Sequence, residues 1–199
     1  MTDPSNHLFW ITSRAAGTAA LVLSSATICF GLLMGGKIGR ASSALQRRTF
    51  HETLSLSVMI AIAVHGLSLI GDKYLHPSLV DVTVPFALSY KTLPTSLGIV
   101  SGWAILALGL SYYVRGRIGV NRWKLIHRFT LLAWLGGVIH ALSEGTDAAQ
   151  QWFVILLGAC VAPVIVLLAV RVVSAQLRSP RGLGASVPRT SPRVSPRTP

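Results

Sequence analysis

The chain is built from long apolar runs separated by short polar segments. Five runs approach 20 residues: Ala15 to Leu33, Phe50 to Ile70, Leu97 to Val114, Leu125 to Leu142, and Trp152 to Val173. A hydrocarbon core about 30 Å thick takes about 20 helical residues. Only helices or closed barrels satisfy their backbone inside lipid, and these runs are too long and too unalternating for barrel strands. The expected fold class is therefore all-α: a polytopic membrane helix bundle of five transmembrane helices. Composition agrees. The 199 residues are 51% hydrophobic and 12% charged, with mean hydropathy +0.58; a soluble domain carries about a quarter charged residues.

The polar segments alternate in sign. Lys37, Arg40, Arg47 and Arg48 lie between the first two runs. Arg115, Arg117, Arg122 and Lys124 lie between the third and fourth, with Arg128 just inside the next. Arg171, Arg178, Arg181, Arg189, Arg193 and Arg197 accompany or follow the fifth. These clusters hold 15 of the 18 basic residues, while Asp3, Asp72, Asp81, Glu144 and Asp147 fall on the other side. The positive-inside rule places the N-terminus outside and the C-terminus in the cytoplasm of a multi-pass cell-membrane protein. The net charge of +12 then reads as orientation and attraction to anionic membrane lipid, and no nucleic-acid partner is expected.

Three sections follow. Residues 1–14 form an external N-terminal segment, residues 15–173 the membrane domain, and residues 174–199 a basic cytoplasmic tail. That tail repeats Ser-Pro-Arg three times without an apolar period and is expected to be disordered. The opening "MTDPSNHLFWITSR" lacks the basic n-region of a signal peptide. Residues 71–96 form the longest external loop, where Pro85 and Pro94 argue against regular helix and "VPFALSY" suits the membrane interface. Cys29 and Cys160 sit singly within apolar runs and read as small buried hydrophobes.

Four histidines change the picture. His51 and His65 lie in the second run, His127 and His140 in the fourth; His7 and His76 fall in external segments as surface residues. Fourteen and thirteen helical residues span about 21 and 20 Å, so each run carries histidine at two depths. Both runs point the same way through the membrane. His51 and His127 therefore share the inner level, and His65 and His140 the outer. One imidazole from each of two helices, at each of two depths, suits two haems with two axial histidines apiece. Zinc fits poorly, because the levels cannot share one ion and each offers only two histidines, with Glu52 the one carboxylate nearby. A proton relay would bring acids to mid-membrane, and none is there. One difficulty stays open. A thirteen-residue step misses four full turns by about 140°, so His140 must approach from another side or the helix must deform, for instance at Gly136-Gly137.

The two histidine pairs, with "FWITSRAAGTAALVL" entering the first run, "VDVTVPFALSYKTL" outside and "NRWKLIHRFTLLAW" entering the fourth, resemble the ferric reductase-like transmembrane domain over residues 8–175. That superfamily includes NADPH oxidases and the haem subunit of the bacterial periplasmic methionine sulfoxide reductase system. The resemblance implies b-type haem on His51, His65, His127 and His140, and electron passage across the membrane.

Haem propionates need cations. Arg48 and Arg128 are placed for the inner level, Arg14 and Lys91 for the outer, although each also reads as a topology-setting charge. Trp103, Trp123, Trp134 and Phe129 could pack on porphyrin or serve as anchors and core. No Gly-rich dinucleotide fingerprint follows Val173. Flavin is thus expected only on a partner, with a separate flavoprotein or quinol as electron donor. The external acceptor would be ferric iron or a partner redox protein, making the chain an oxidoreductase component. The alternatives are a one-haem, quinol-linked subunit, and a non-redox transporter or assembly protein with metal-binding or structural histidines.

Overall fold

The structure, a computed structural model, describes residues 7–35 and 43–178, and every regular element among them is helical. In chain order these are α1 (Leu8–Gly35), α2 (Ala44–Leu69), α3 (Leu79–Thr83), α4 (Thr92–Leu110), a 3-10 turn (Ser111–Val114), α5 (Arg115–Ile118), α6 (Val120–His127), α7 (Thr130–Glu144) and α8 (Gln151–Arg178). Five stretches are long and apolar enough to cross a membrane: Leu8–Gly35, Ala44–Leu69, Thr92–Ile118, Val120–Glu144 and Gln151–Leu177.

Their ends differ from the apolar runs. The first begins at Leu8, so residues 8–14, expected as external segment, are the first turns of α1. At the other end α8 runs through Arg178, past the expected tail boundary at 174. The Ser-Pro-Arg repeats, Lys37 and Arg40 lie outside the described residues. The expected loop at 71–96 contains α3, and α4 starts at Thr92. Pro94 is no obstacle there, since first-turn N–H groups have no intrahelical acceptor to lose. Ser78 caps α3 in a capping box, its hydroxyl accepting from the Asp81 N–H while the Asp81 carboxylate accepts from the Ser78 N–H.

Two antiparallel helix pairs organise the bundle, α1 with α2 and α4 with α7; α8 lies on α1, and α7 touches α1. The buried core is Leu21, Trp134, Val138, Phe153 and Val164, drawn from α1, α7 and α8. Trp134 donates its indole N–H to Ser25 Oγ at 3.0 Å, which makes it a core residue with its polar atom satisfied. Hydroxyls of Ser25, Thr27 and Ser55 donate back to carbonyls one turn earlier, as polar groups in apolar surroundings must. Large hydrophobic side chains elsewhere point outward, among them Ile60, Leu132, Ile155 and Val166, the surface that lipid would cover. The backbones of α2 and α7 do not pack closely against each other. Their histidine side chains meet across the gap.

Candidate functional site

The histidines pair as their depths require. His51 and His127 have ring centres 6.4 Å apart and planes at 78°; His65 and His140 have centres 6.2 Å apart and planes at 70°. A ring nitrogen binds a first-row metal at about 2 Å and lies about 1 Å from its own ring centre, so two imidazoles on opposite sides of one metal have centres about 6 Å apart. Both pairs match that separation. Among the described residues no group of three or more His, Cys, Asp or Glu could hold a metal ion. Each pair can therefore supply two ligands and no more.

The His65/His140 pair is anchored. His65 Nδ1 lies 2.8 Å from the Ser13 carbonyl and 3.0 Å from Ser13 Oγ, and that hydroxyl donates to the His65 carbonyl at 2.8 Å. His140 Nδ1 lies 2.9 Å from the Pro94 carbonyl. A carbonyl only accepts, so both Nδ1 atoms carry their protons and both Nε2 lone pairs are free for a ligand. The rings lie over helix turns that lack a side chain. A Cβ on Gly17 would come within 2.9 Å of His65 Nδ1, and one on Gly98 within 2.5 Å of His140 Nδ1. Ser13 precedes Gly17 by four residues, and Pro94 precedes Gly98 by four. In an α-helix the carbonyl of residue i points toward residue i+4, so one turn supplies both the acceptor and the bare patch.

The His51/His127 pair is held differently. A Cβ on Gly31 would sit 3.3 Å from His51 Cε1, but His51 Nδ1 is buried without a hydrogen bond. His127 Nδ1 is likewise buried with no hydrogen bond of normal geometry among the described residues, with the Leu108 carbonyl near it. Aromatic rings confine these imidazoles instead. Trp123 stacks on His127 with centres 4.9 Å apart and planes at 24°, and is itself pinned by its N–H to Ser111 Oγ at 3.0 Å. Phe30 lies 6.4 Å from His51, nearly parallel.

The thirteen-residue difficulty resolves at a place other than Gly136-Gly137. α7 runs unbroken through those glycines, and the fourth span breaks between α6 and α7. There Arg128 N donates to Leu125 O, Phe129 N to Ile126 O and Leu131 N to Arg128 O. These i to i−3 bonds wind the chain at about 120° per residue instead of about 100°, which recovers about 60° of the 140° shortfall. The rings also rest on different neighbours, Trp123 for His127 and the Pro94 turn for His140.

The expected cations divide. Arg14 binds the buried Asp147 carboxylate through Nε and Nη2 and lies over Trp10. Lys91 donates to the Ser143 carbonyl at 2.9 Å and sits 3.9 Å from the Glu144 carboxylate. Arg14 fastens α1 to the loop between α7 and α8, and Lys91 fastens the start of α4 to the end of α7. Arg48 and Arg128, close to His51 and His127 in sequence, are exposed, and their side chains have no hydrogen bond or ion pair among the described residues. Glu52 accepts from the Tyr113 hydroxyl at 2.7 Å. Trp103 donates to the Thr83 carbonyl at 2.7 Å, tying α3 to α4, and Phe129 is exposed.

Compared with known protein families, characterised proteins and solved structures, the chain matches none. The site's own geometry carries what can be said of it. Sequence reading missed Ser13, Phe30 and the three glycines. One signal was there: Gly17 and Gly31 are fourteen apart, like His51 and His65, and antiparallel helices bring such equal intervals into register.

Proposed function

We propose that the chain is a multi-pass membrane cytochrome b with haem b between His51 and His127 and between His65 and His140. The carrying observation is the spacing of both imidazole pairs, each suited to one metal between two ring nitrogens. The residues fit such a group in other respects. Two protein ligands suffice where a macrocycle provides the rest, the His51, His65 and His140 rings lie against bare glycine turns, and the outer Nε2 atoms are left free. Iron held this way supplies one-electron transfer with no open position for substrate.

The chain's own part is to present neutral imidazoles at fixed angles, exclude water with an apolar shell, and offer Arg48 and Arg128 to anionic groups at one end. In this reading that basic end faces the cytoplasm, following the loop charges. Electrons pass between a donor, a flavoprotein or quinol, and an external acceptor such as ferric iron or a partner redox protein. The ferric reductase-like domain remains the family we propose. One observation favours the one-haem variant of this reading: only the His65/His140 pair has both Nδ1 atoms anchored. A transporter reading draws no support from the absence of a three-ligand metal cluster among the described residues.

The test is spectroscopic. In purified protein, His65→Ala and His140→Ala should each abolish the same reduced-minus-oxidised component, close to half the absorbance, and leave the His51/His127 component. Removal of both components by His65→Ala, in protein that remains folded, would show that the histidines are paired otherwise.

A further inference from the structure

The two histidine pairs share spacing and differ in what surrounds them. Both His65 and His140 donate Nδ1–H to main-chain carbonyls, and His65 has Ser13 Oγ as a second acceptor at 3.0 Å. Ser13 is only 2% exposed, so no water competes for these bonds. His51 and His127 have no such acceptor in normal geometry among the described residues. A hydrogen bond from the distal nitrogen makes an imidazole more electron-donating toward a metal, and electron-rich ligands favour the oxidised metal.

Charge acts in the same direction. Arg115, Arg117, Arg122, Lys124 and Arg128 gather at the His51/His127 end, whereas Asp72, Asp81, Glu144 and Asp147 gather at the other. Nearby positive charge favours the reduced metal and negative charge the oxidised one. Arg14, Lys73 and Lys91 lie at that same end and offset three of the four acids, so the contrast rests mainly on the basic cluster at the other end.

Resting on the haem reading above, we infer that Ser13 is a positioning residue which, with the Ser13 and Pro94 carbonyls, makes the His65/His140 site the harder of the two to reduce. Its hydroxyl serves two purposes at once. Donating to the His65 carbonyl, it clamps α1 to α2; accepting from Nδ1–H, it fixes the tautomer and adds to the ring's basicity. Seen from the centres alone, an electron is held better at the basic end. Outward flow therefore has to be driven by the donor, the acceptor or the membrane potential.

The test combines a redox titration with nitrogen-15 spectroscopy of histidine-labelled chain, on wild type, Ser13→Ala and Ser13→Thr in lipid nanodiscs. Two components are expected in wild type, with the one lost in His65→Ala at the lower potential. Ser13→Ala should move that component upward and leave the other in place, and Ser13→Thr should restore it. The His65 Nδ1 resonance should shift toward a weaker hydrogen bond in Ser13→Ala only. Equal potentials in wild type, or a Ser13→Ala protein with both potentials and the His65 resonance unmoved, would overturn the inference while leaving two bound haems intact. A chain that binds no haem would overturn the functional reading instead. The His65 resonance would then decide Ser13's role: a shift in Ser13→Ala supports it, and an unmoved line refutes it.

Discussion

At Gly17, Gly31 and Gly98 a methyl group would enter space now filled by an imidazole. The approach tightens from 3.3 Å at Gly31 to 2.9 Å at Gly17 and 2.5 Å at Gly98. Ordinary contact begins near 3.4 Å, so the three positions form a graded series. Gly98→Ala should displace His140 and cost most of the outer component; Gly17→Ala should cost less, and Gly31→Ala least. Gly158→Ala, facing open space, should leave the spectrum unchanged, and equal losses across all four would contradict the cradle. The Arg14–Asp147 pair gives a second residue-scale outcome. The side chains are 38% and 10% exposed, so removing the arginine strands the more buried partner. Arg14→Gln should lower stability by about 2 kcal/mol, and more than Asp147→Asn, after allowing for the arginine's exposure to solvent. Thermal unfolding in detergent measures both.

Elements explain what the sequence made readable. The five spans could be read because apolar length alone signals a membrane helix, and the histidine levels because rise per residue is constant. The break at Arg128–Phe129 could not, since neither glycine nor proline marks it; it lies between His127, stacked on Trp123, and His140, bonded to the Pro94 carbonyl. The same holds for Ser13, an ordinary helix serine until α2 arrives with His65. The helices extend past the apolar runs to Leu8 and Arg178, because polar residues tolerate the last turns of a helix near an interface. An alanine inserted after Phe129 rotates α7 by about 100°. It should abolish the outer component and spare the inner, whose ligands both precede the insertion. In α3, hydrogen bonds from the Ser78 N–H and hydroxyl hold the Asp81 carboxyl below its ordinary value. The depressed value means the cap is complete above the ordinary carboxylate range and is lost as pH falls through the lowered one. The protection factor of the Asp81 amide, exchange corrected for its intrinsic pH dependence, should fall across that acid window and stay flat above it.

On the scale of the whole molecule, α1 is the common backing. It carries Ser13 and Gly17 for the His65/His140 pair, Gly31 and Phe30 for His51, and Ser25 for Trp134 between them. Both pairs depend on keeping α2 and the α6–α7 span apart at a separation their own backbones do not close. That gap is what the functional reading fills. The most direct measurement is haem per chain in protein purified from haem-supplied cells, by pyridine haemochrome assay alongside quantitative amino-acid analysis. The expected result is two b-type haems per chain, falling to one in both His65→Ala and His51→Ala. Folded protein that carries no haem would contradict the central claim.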